Sequence, residues 1–203
     1  MIAVIDYGIG NLFSLKSSFF KIGEEAIITS DISVIEDADR IILPGVGAFE
    51  DAAKKLRAGG LDKVVLSETE KGKPLMGICL GMQMLFERSY EYGIHEGLGL
   101  IKGEVRPMLG AIPSELKIPH MGWNKLKLVG EKDSIFKYVN EGDSVYFVHS
   151  FYGADCDDAL IATAEYGIDI TAAVRKGNVW GCQFHPEKSG NVGLSILKAF
   201  CEI

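Results

Sequence analysis

Gly77-Ile78-Cys79-Leu80-Gly81 places a glycine two residues to either side of a cysteine, between an apolar run and a stretch of helical character. Small flanking residues let the chain turn sharply with strained backbone angles, so that the central side chain protrudes at the carboxyl edge of a sheet. A thiol held there sits at a helix N-terminus, which favours the thiolate, and the amide of Leu80 points where an oxyanion would form. The alternative for the same residues is an inert cysteine buried at a tight strand-to-helix turn. The other thiols have weaker surroundings. Cys182 alternates with Trp180 and Phe184 along an apolar strand and Cys201 lies in a terminal helix, so both read as packing residues. Cys156 stands among Asp155, Asp157 and Asp158, whose charges oppose a thiolate.

A cysteine nucleophile needs a base, and the chain offers His95, His120, His149 and His185. Only His185 carries a carboxylate partner in its own motif, Gln183-Phe184-His185-Pro186-Glu187. The residue before a proline is pushed to extended geometry, where residues two apart share a side, so Glu187 is expected beside His185 to orient the imidazole. His149 closes the apolar Val145–Val148 run and is the reserve base, with a packed or substrate-facing role favoured by its aromatic neighbours. Cysteine and histidine both follow predicted strands, which makes nucleophilic acyl transfer the leading chemistry.

Pro44-Gly45-Val46-Gly47 lacks the Lys and Ser/Thr of a phosphate-binding loop. Its glycines suit a second oxyanion donor opposite Leu80, or simply a tight turn. Gln83 follows Cys79 by one helical turn, where its amide could read a polar substrate group.

The elements that must hold these residues follow from the apolar pattern. Ile2–Ile5, Ala26–Ile28, Arg40–Leu43 and Leu75–Ile78 are near-continuous apolar runs, each a buried strand. Helical spacing follows in Leu12, Leu15, Phe19 and Ile22, in residues 49–56, and in Met82, Leu85 and Phe86. From Leu98 onward shorter strand-like segments crowd together at 100–105, 125–129, 145–148, 161–164, 171–174 and 179–184, expected to extend the sheet as antiparallel or mixed strands. A closing helix with Val192, Ile196, Leu197 and Phe200 on one stripe covers a sheet face. The predicted fold is α/β: an open, mostly parallel sheet with helices on both faces, in a single domain over residues 1–203.

Composition sets the outer limits. With 203 residues, 47% hydrophobic and 24% charged, the chain is long and apolar enough for a folded core. Lys and Arg number 21 against 28 Asp and Glu, and the resulting charge of -7 argues against nucleic acid as a partner. No signal segment or membrane-length apolar run is read, and four scattered cysteines without a C-x-x-C pair suggest neither a disulfide framework nor a metal site. A soluble protein of a reducing cytoplasm, without a cofactor, is the expectation.

Taken together, several segments resemble the class I, triad-type glutamine amidotransferases, and among them the glutaminase subunits of imidazole glycerol phosphate synthase. They are Asp6-Tyr7-Gly8-Ile9-Gly10-Asn11, Pro44-Gly45-Val46-Gly47, Gly77-Ile78-Cys79-Leu80-Gly81-Met82-Gln83, Pro119-His120-Met121-Gly122-Trp123-Asn124, Tyr146-Phe147-Val148-His149-Ser150-Phe151 and Gln183-Phe184-His185-Pro186-Glu187-Lys188-Ser189. The resemblance implies a flavodoxin-like sheet and a Cys79, His185, Glu187 triad that hydrolyses L-glutamine through a thioester. It implies oxyanion donors at Leu80 and either Val46 or Gly47, and a glutamine pocket lined by Gln83, His149, Ser150 and Phe151. It further implies that ammonia passes to a TIM-barrel cyclase subunit in histidine biosynthesis, with Asn11, Trp123 and Lys188 near that interface. A synthase with another acceptor, a free-standing cysteine hydrolase and a non-catalytic binding module remain the rival readings.

Overall fold

A computed structural model describes residues 1–203. The four apolar runs become β1 (Ile2–Ile5), β2 (Ala26–Thr29), β3 (Arg40–Leu43) and β4 (Leu75–Ile78). Between them the chain returns through α1 (Leu12–Lys21), α2 (Ile32–Asp37), α3 (Phe49–Ala58) and α4 (Leu61–Glu70). In β1, Ile2 and Val4 point into one hydrophobic cluster while Ala3 and Ile5 point into another on the opposite face. A strand covered on both sides has no polar phase, which is why these segments read as unbroken apolar runs.

Beyond β4 come α5 (Leu80–Met84), β5 (Phe86–Ser89), β6 (His95–Glu96), β7 (Ile101–Pro107), β8 (His120–Lys125) and β9 (Lys127–Leu128). The remainder is β10 (Ser144–His149), β11 (Phe151–Ala154), β12 (Leu160–Glu165), β13 (Asp169–Lys176), β14 (Val179–Cys182) and α6 (Gly190–Cys201). The main sheet has eight strands in the order β2-β1-β3-β4-β14-β13-β12-β9. Its first five strands are parallel, and β13, β12 and β9 continue it antiparallel. Leu15 and Phe19 of α1 share one core with Ile196, Leu197 and Phe200 of α6, and the second core lies under α2 to α5. The expected mixed sheet covered on both faces is present.

Three expectations need correction. The helix after Cys79 is a single short turn: Phe86 leaves it and enters β5, pairing with Ile101. All of Leu80–Phe86 is buried, so no polar residue marks where the helix stops. The later strands do not all extend the main sheet; β10 pairs only with β8, and β11, β7, β5 and β6 form a separate four-stranded sheet. Alternation encodes the face a residue presents and leaves the pairing partner open. The strand expected over 125–129 is displaced to β8 plus the two-residue β9, because Met121 and Trp123 face outward and blur the alternation.

Candidate active site

The cysteine turn is built from close backbone contacts. Cys79 adopts φ 55° and ψ −112°, a left-handed conformation that a non-glycine residue enters only under constraint. A methyl group on Gly77 would lie 2.6 Å from the Gly81 carbonyl oxygen, and one on Gly81 only 1.8 Å from that of Leu43. Both glycines are therefore required by the approach of β3, β4 and the first turn of α5. The Cys79 amide donates to the Cys182 carbonyl at 2.7 Å, tying the turn to the neighbouring strand β14.

That neighbour delivers the base. Cys182 and Ile78 are paired across β14 and β4, so the chain leaving each strand emerges at the same sheet edge. His185 is buried, its amide donates to the Tyr146 carbonyl at 2.9 Å, and its Nδ1 lies 2.8 Å from Glu187 Oε1. The contact arises differently from the expected extended pair. Pro186–Lys188 is a 3-10 turn, and Ser189 Oγ pins it by donating to the His185 carbonyl at 2.6 Å and accepting from the Tyr146 amide at 2.9 Å. Burial disfavours the His185 imidazolium, but Cys79 and the Glu187 carboxylate outweigh it and raise the pKa to about 9. His185 Nε2 is buried without a hydrogen-bond partner, and so is the second oxygen of Glu187. Cys79 Sγ contacts the Val148 carbonyl at 3.9 Å and Gln183 Nε2 at 3.8 Å. The other thiols are all held up: burial chiefly pushes Cys201 up to about 12 and strongly raises Cys182. For Cys156 the sequence named the aspartates as the cause, yet burial contributes more than Asp157 and Asp155.

A cavity of about 350 Å³ opens beside the thiol. Gln83, His149, Ser150 and Phe151, expected to line a glutamine pocket, all line it, together with Val46, Gly47, Cys79, Leu80 and His185. Two of them are already bonded within the protein. The Gln83 amide nitrogen is already engaged, donating to the Phe151 carbonyl and to Gln183 Oε1, each at 3.0 Å. His149 has both ring nitrogens bonded, to Phe151 and to His120, which removes it as a reserve base. Glu91, Tyr92, Pro119 and Val148 also line the cavity and were not singled out in the sequence. Burial raises the pKa of Glu91, while the Phe49 amide, 2.8 Å away, donates to its carboxylate. Tyr92, at φ 53°, sets its exposed ring edge-on to Phe151 at 6.1 Å. These two lie on an irregular turn with no motif spacing; Gln183, in contrast, could have been found two residues before His185 in its motif.

The Leu80 amide, expected as an oxyanion donor, is occupied: it donates to the Gly45 carbonyl at 3.3 Å. Tyr7 anchors the same loop, its hydroxyl donating to the Pro44 carbonyl at 2.6 Å. Trp123 is 59% exposed and Lys188 is exposed, while Asn11 is half-buried at the start of α1. The edge of the Trp123 ring approaches Gly190, two residues beyond Lys188.

The model of the family "Glutamine amidotransferase class-I" matches residues 3–202. The imidazole glycerol phosphate synthase subunit HisH of Geobacter metallireducens is 47% identical over 98% of this chain and 96% of its own length. That of Lactococcus lactis subsp. lactis is 49% identical over 99% and 98%. The chain belongs to the class-I glutamine amidotransferases, in the HisH subunit family. The structure of PurLQS from Thermotoga maritima superposes with a TM-score of 0.74 at 22% identity, covering 99% of this chain and 97% of that one. For this amidotransferase that likeness establishes the fold, a flavodoxin-like sheet.

Proposed function

We propose that the chain is the glutaminase subunit of imidazole glycerol phosphate synthase, one catalytic unit over residues 1–203 that hydrolyses L-glutamine and supplies ammonia to a TIM-barrel cyclase in the cytoplasm. The observation that carries the chemistry is the pairing of β4 with β14, which sets Cys79 beside a buried His185 already bonded to Glu187. The family membership carries the choice of glutamine, and the HisH relatives carry the choice of synthase.

In this reading the Cys79 thiolate attacks the side-chain amide carbon of glutamine. His185 Nε2, the nitrogen left without a partner, gives its proton to the departing nitrogen, and ammonia leaves a thioester on Cys79. Neutral His185 then takes a proton from water, whose oxygen attacks the thioester carbon; glutamate departs and the proton returns to the Cys79–His185 pair. Glu187 holds the imidazole by Nδ1 throughout. Glu91 supplies a carboxylate inside the cavity as counter-charge to the α-ammonium of the substrate. No metal or cofactor enters the scheme.

The Gly45–Val46 peptide sets the resting activity. Its carbonyl oxygen holds the Leu80 amide, so the oxyanion site lacks that donor until the bond breaks. Rotation of this peptide plane would free Leu80 and swing the Val46 amide toward the cavity, which favours Val46 over Gly47 as the second donor. Docking of the cyclase on the rim of Asn11, Trp123 and Lys188 is the proposed trigger. Glutamate release by the purified chain, alone and with the cyclase subunit and its nucleotide substrate, tests the reading, with Cys79→Ala as the blank. Cys79-dependent turnover that rises at least tenfold with the liganded partner is the expected result, and turnover indifferent to the partner would count against it.

A further inference from the structure

A chain of hydrogen bonds crosses from the exposed strand β8 to the wall of the cavity, and its direction is fixed by backbone groups at both ends. Asn124 is oriented unambiguously: its Nδ2 donates to the Glu165 carbonyl at 2.8 Å and its Oδ1 accepts from the Lys125 amide at 2.8 Å. The same Nδ2 faces His120 Nε2 at 3.3 Å, so that nitrogen must accept. His120 therefore carries its proton on Nδ1 and donates to His149 Nε2 at 2.9 Å. His149 in turn carries its proton on Nδ1 and donates to the Phe151 carbonyl at 2.8 Å, the oxygen that also accepts from Gln83. Reversing any link would set two donors or two lone pairs against each other. Both rings must be neutral, since an imidazolium at either place would face a donor or lose its acceptor. Burial acts in the same sense, holding His120 down to about 4 and His149 to about 3.

The surroundings make this chain stiff. His120 is stacked between Phe147 and Tyr166, with ring centroids 4.8 and 4.1 Å away. The Phe151 carbonyl that ends the chain follows Ser150, where the polypeptide leaves β10 of the two-stranded sheet for β11 of the four-stranded one. At that junction the Ser150 carbonyl accepts from the Met108 amide at 2.9 Å, and the side-chain bonds from His149 and Gln83 to the Phe151 carbonyl add to that brace. On β8 the faces alternate: His120 points inward, and Met121 and Trp123 point to solvent at 61% and 59% exposure.

Resting on the glutaminase reading, we infer that His120 and Asn124 are positioning residues: through His149 they hold the 148–151 wall and Gln83 in the geometry that binds glutamine, and they link that wall to the outward face of β8. Neither residue touches the cavity itself. Pressure on Met121 or Trp123 from a docked partner would reach the cavity along this fixed chain.

The test combines tautomer and kinetics in the full-length protein. Nitrogen-15 NMR of histidine-labelled wild-type chain should find both His120 and His149 protonated on Nδ1, the form less favoured by free histidine. With the cyclase subunit and its nucleotide substrate present, His120→Phe, which keeps the aromatic stack, should raise KM for glutamine about tenfold with a smaller change in kcat. His120→Asn, whose amide nitrogen falls near the Nδ1 position, should bring KM back to within about twofold of wild type. Asn124→Leu, at a half-buried surface site that tolerates change, should mix the tautomers of both rings and raise KM about two- to fivefold. An Nε2 proton on His149 in the wild type would overturn the inference, as would an unchanged KM in Asn124→Leu or an asparagine at 120 no better than phenylalanine. Absence of Cys79-dependent turnover in the wild-type chain is a different failure: it would overturn the glutaminase reading, and the binding role with it.

Discussion

Glu187 does its work at one atom of one ring. By accepting from His185 Nδ1 inside the protein it fixes which nitrogen faces Cys79 and, together with Cys79, favours the imidazolium. Glu187→Gln leaves the shape and removes the charge, so kcat for glutamate release should fall about 10²–10⁴-fold. NMR titration of His185 in that variant should show its pKa well below the wild-type value. The sign of the linkage follows from the raised pKa. Protonation of His185 stabilises the folded chain fully below about pH 6.5, the unfolded value, and that contribution fades as pH climbs through about 9. Denaturant melts between pH 6 and 10 should therefore lose stability across this window in wild type and lose less in Glu187→Gln. The triad was readable from sequence because each part is local: a thiol between two glycines, and a histidine two residues before a glutamate. Glu91 and Tyr92 were not, since nothing in their spacing marks a turn that folds over a distant cavity.

Elements meet at the cysteine turn with no room to spare. Gly81→Ala would drive a methyl group into the Leu43 carbonyl, and because backbone lies on both sides neither α5 nor β3 can yield cheaply. A loss of about 3 kcal/mol or more is expected by urea denaturation, at the upper end of overpacking costs. The oxyanion loop is held from the other side by Tyr7, the last turn before α1. Tyr7→Phe strips the Pro44 carbonyl of its donor, and should lower stability by roughly 1–2 kcal/mol in the same assay. It should also raise the glutaminase activity of the chain without partner, since the loop then releases Leu80 more readily. Where an element carried a continuous apolar run, as in β1, β3 and β4, its place was plain from sequence. The end of α5 and the strand β8 were hidden for opposite reasons. The first has every position buried and therefore no period, and the second shows its aromatic residues to solvent.

Across the whole molecule, two neutral histidines hydrogen-bonded to each other in the interior make the fold sensitive to acid. Both His120 and His149 have pKa values depressed by burial, so the unfolded chain binds protons that the folded chain refuses between about pH 6.5 and 4. Stability should fall as pH drops through that range, with a slope of up to about 1.4 kcal/mol per pH unit for each ring. Thermal melts at pH 7 and pH 4.5 would record the difference, and His120→Phe should flatten it. The overall plan of a mixed α/β sheet followed from the order of apolar runs; its division into three sheets did not, since pairing depends on contacts between segments far apart in the chain.

The eight-stranded sheet also ends in a particular way: four residues of β2 on one side and two residues of β9 on the other. An edge that short offers few free N–H and C=O groups to an incoming strand, and Lys127 on β9 adds a charge that a stacked copy would have to bury. These two edges of the main sheet are thus poor templates for an incoming strand. Clumping on heating should track the unfolded fraction rather than the concentration of native protein, so conditions that protect the fold also protect solubility.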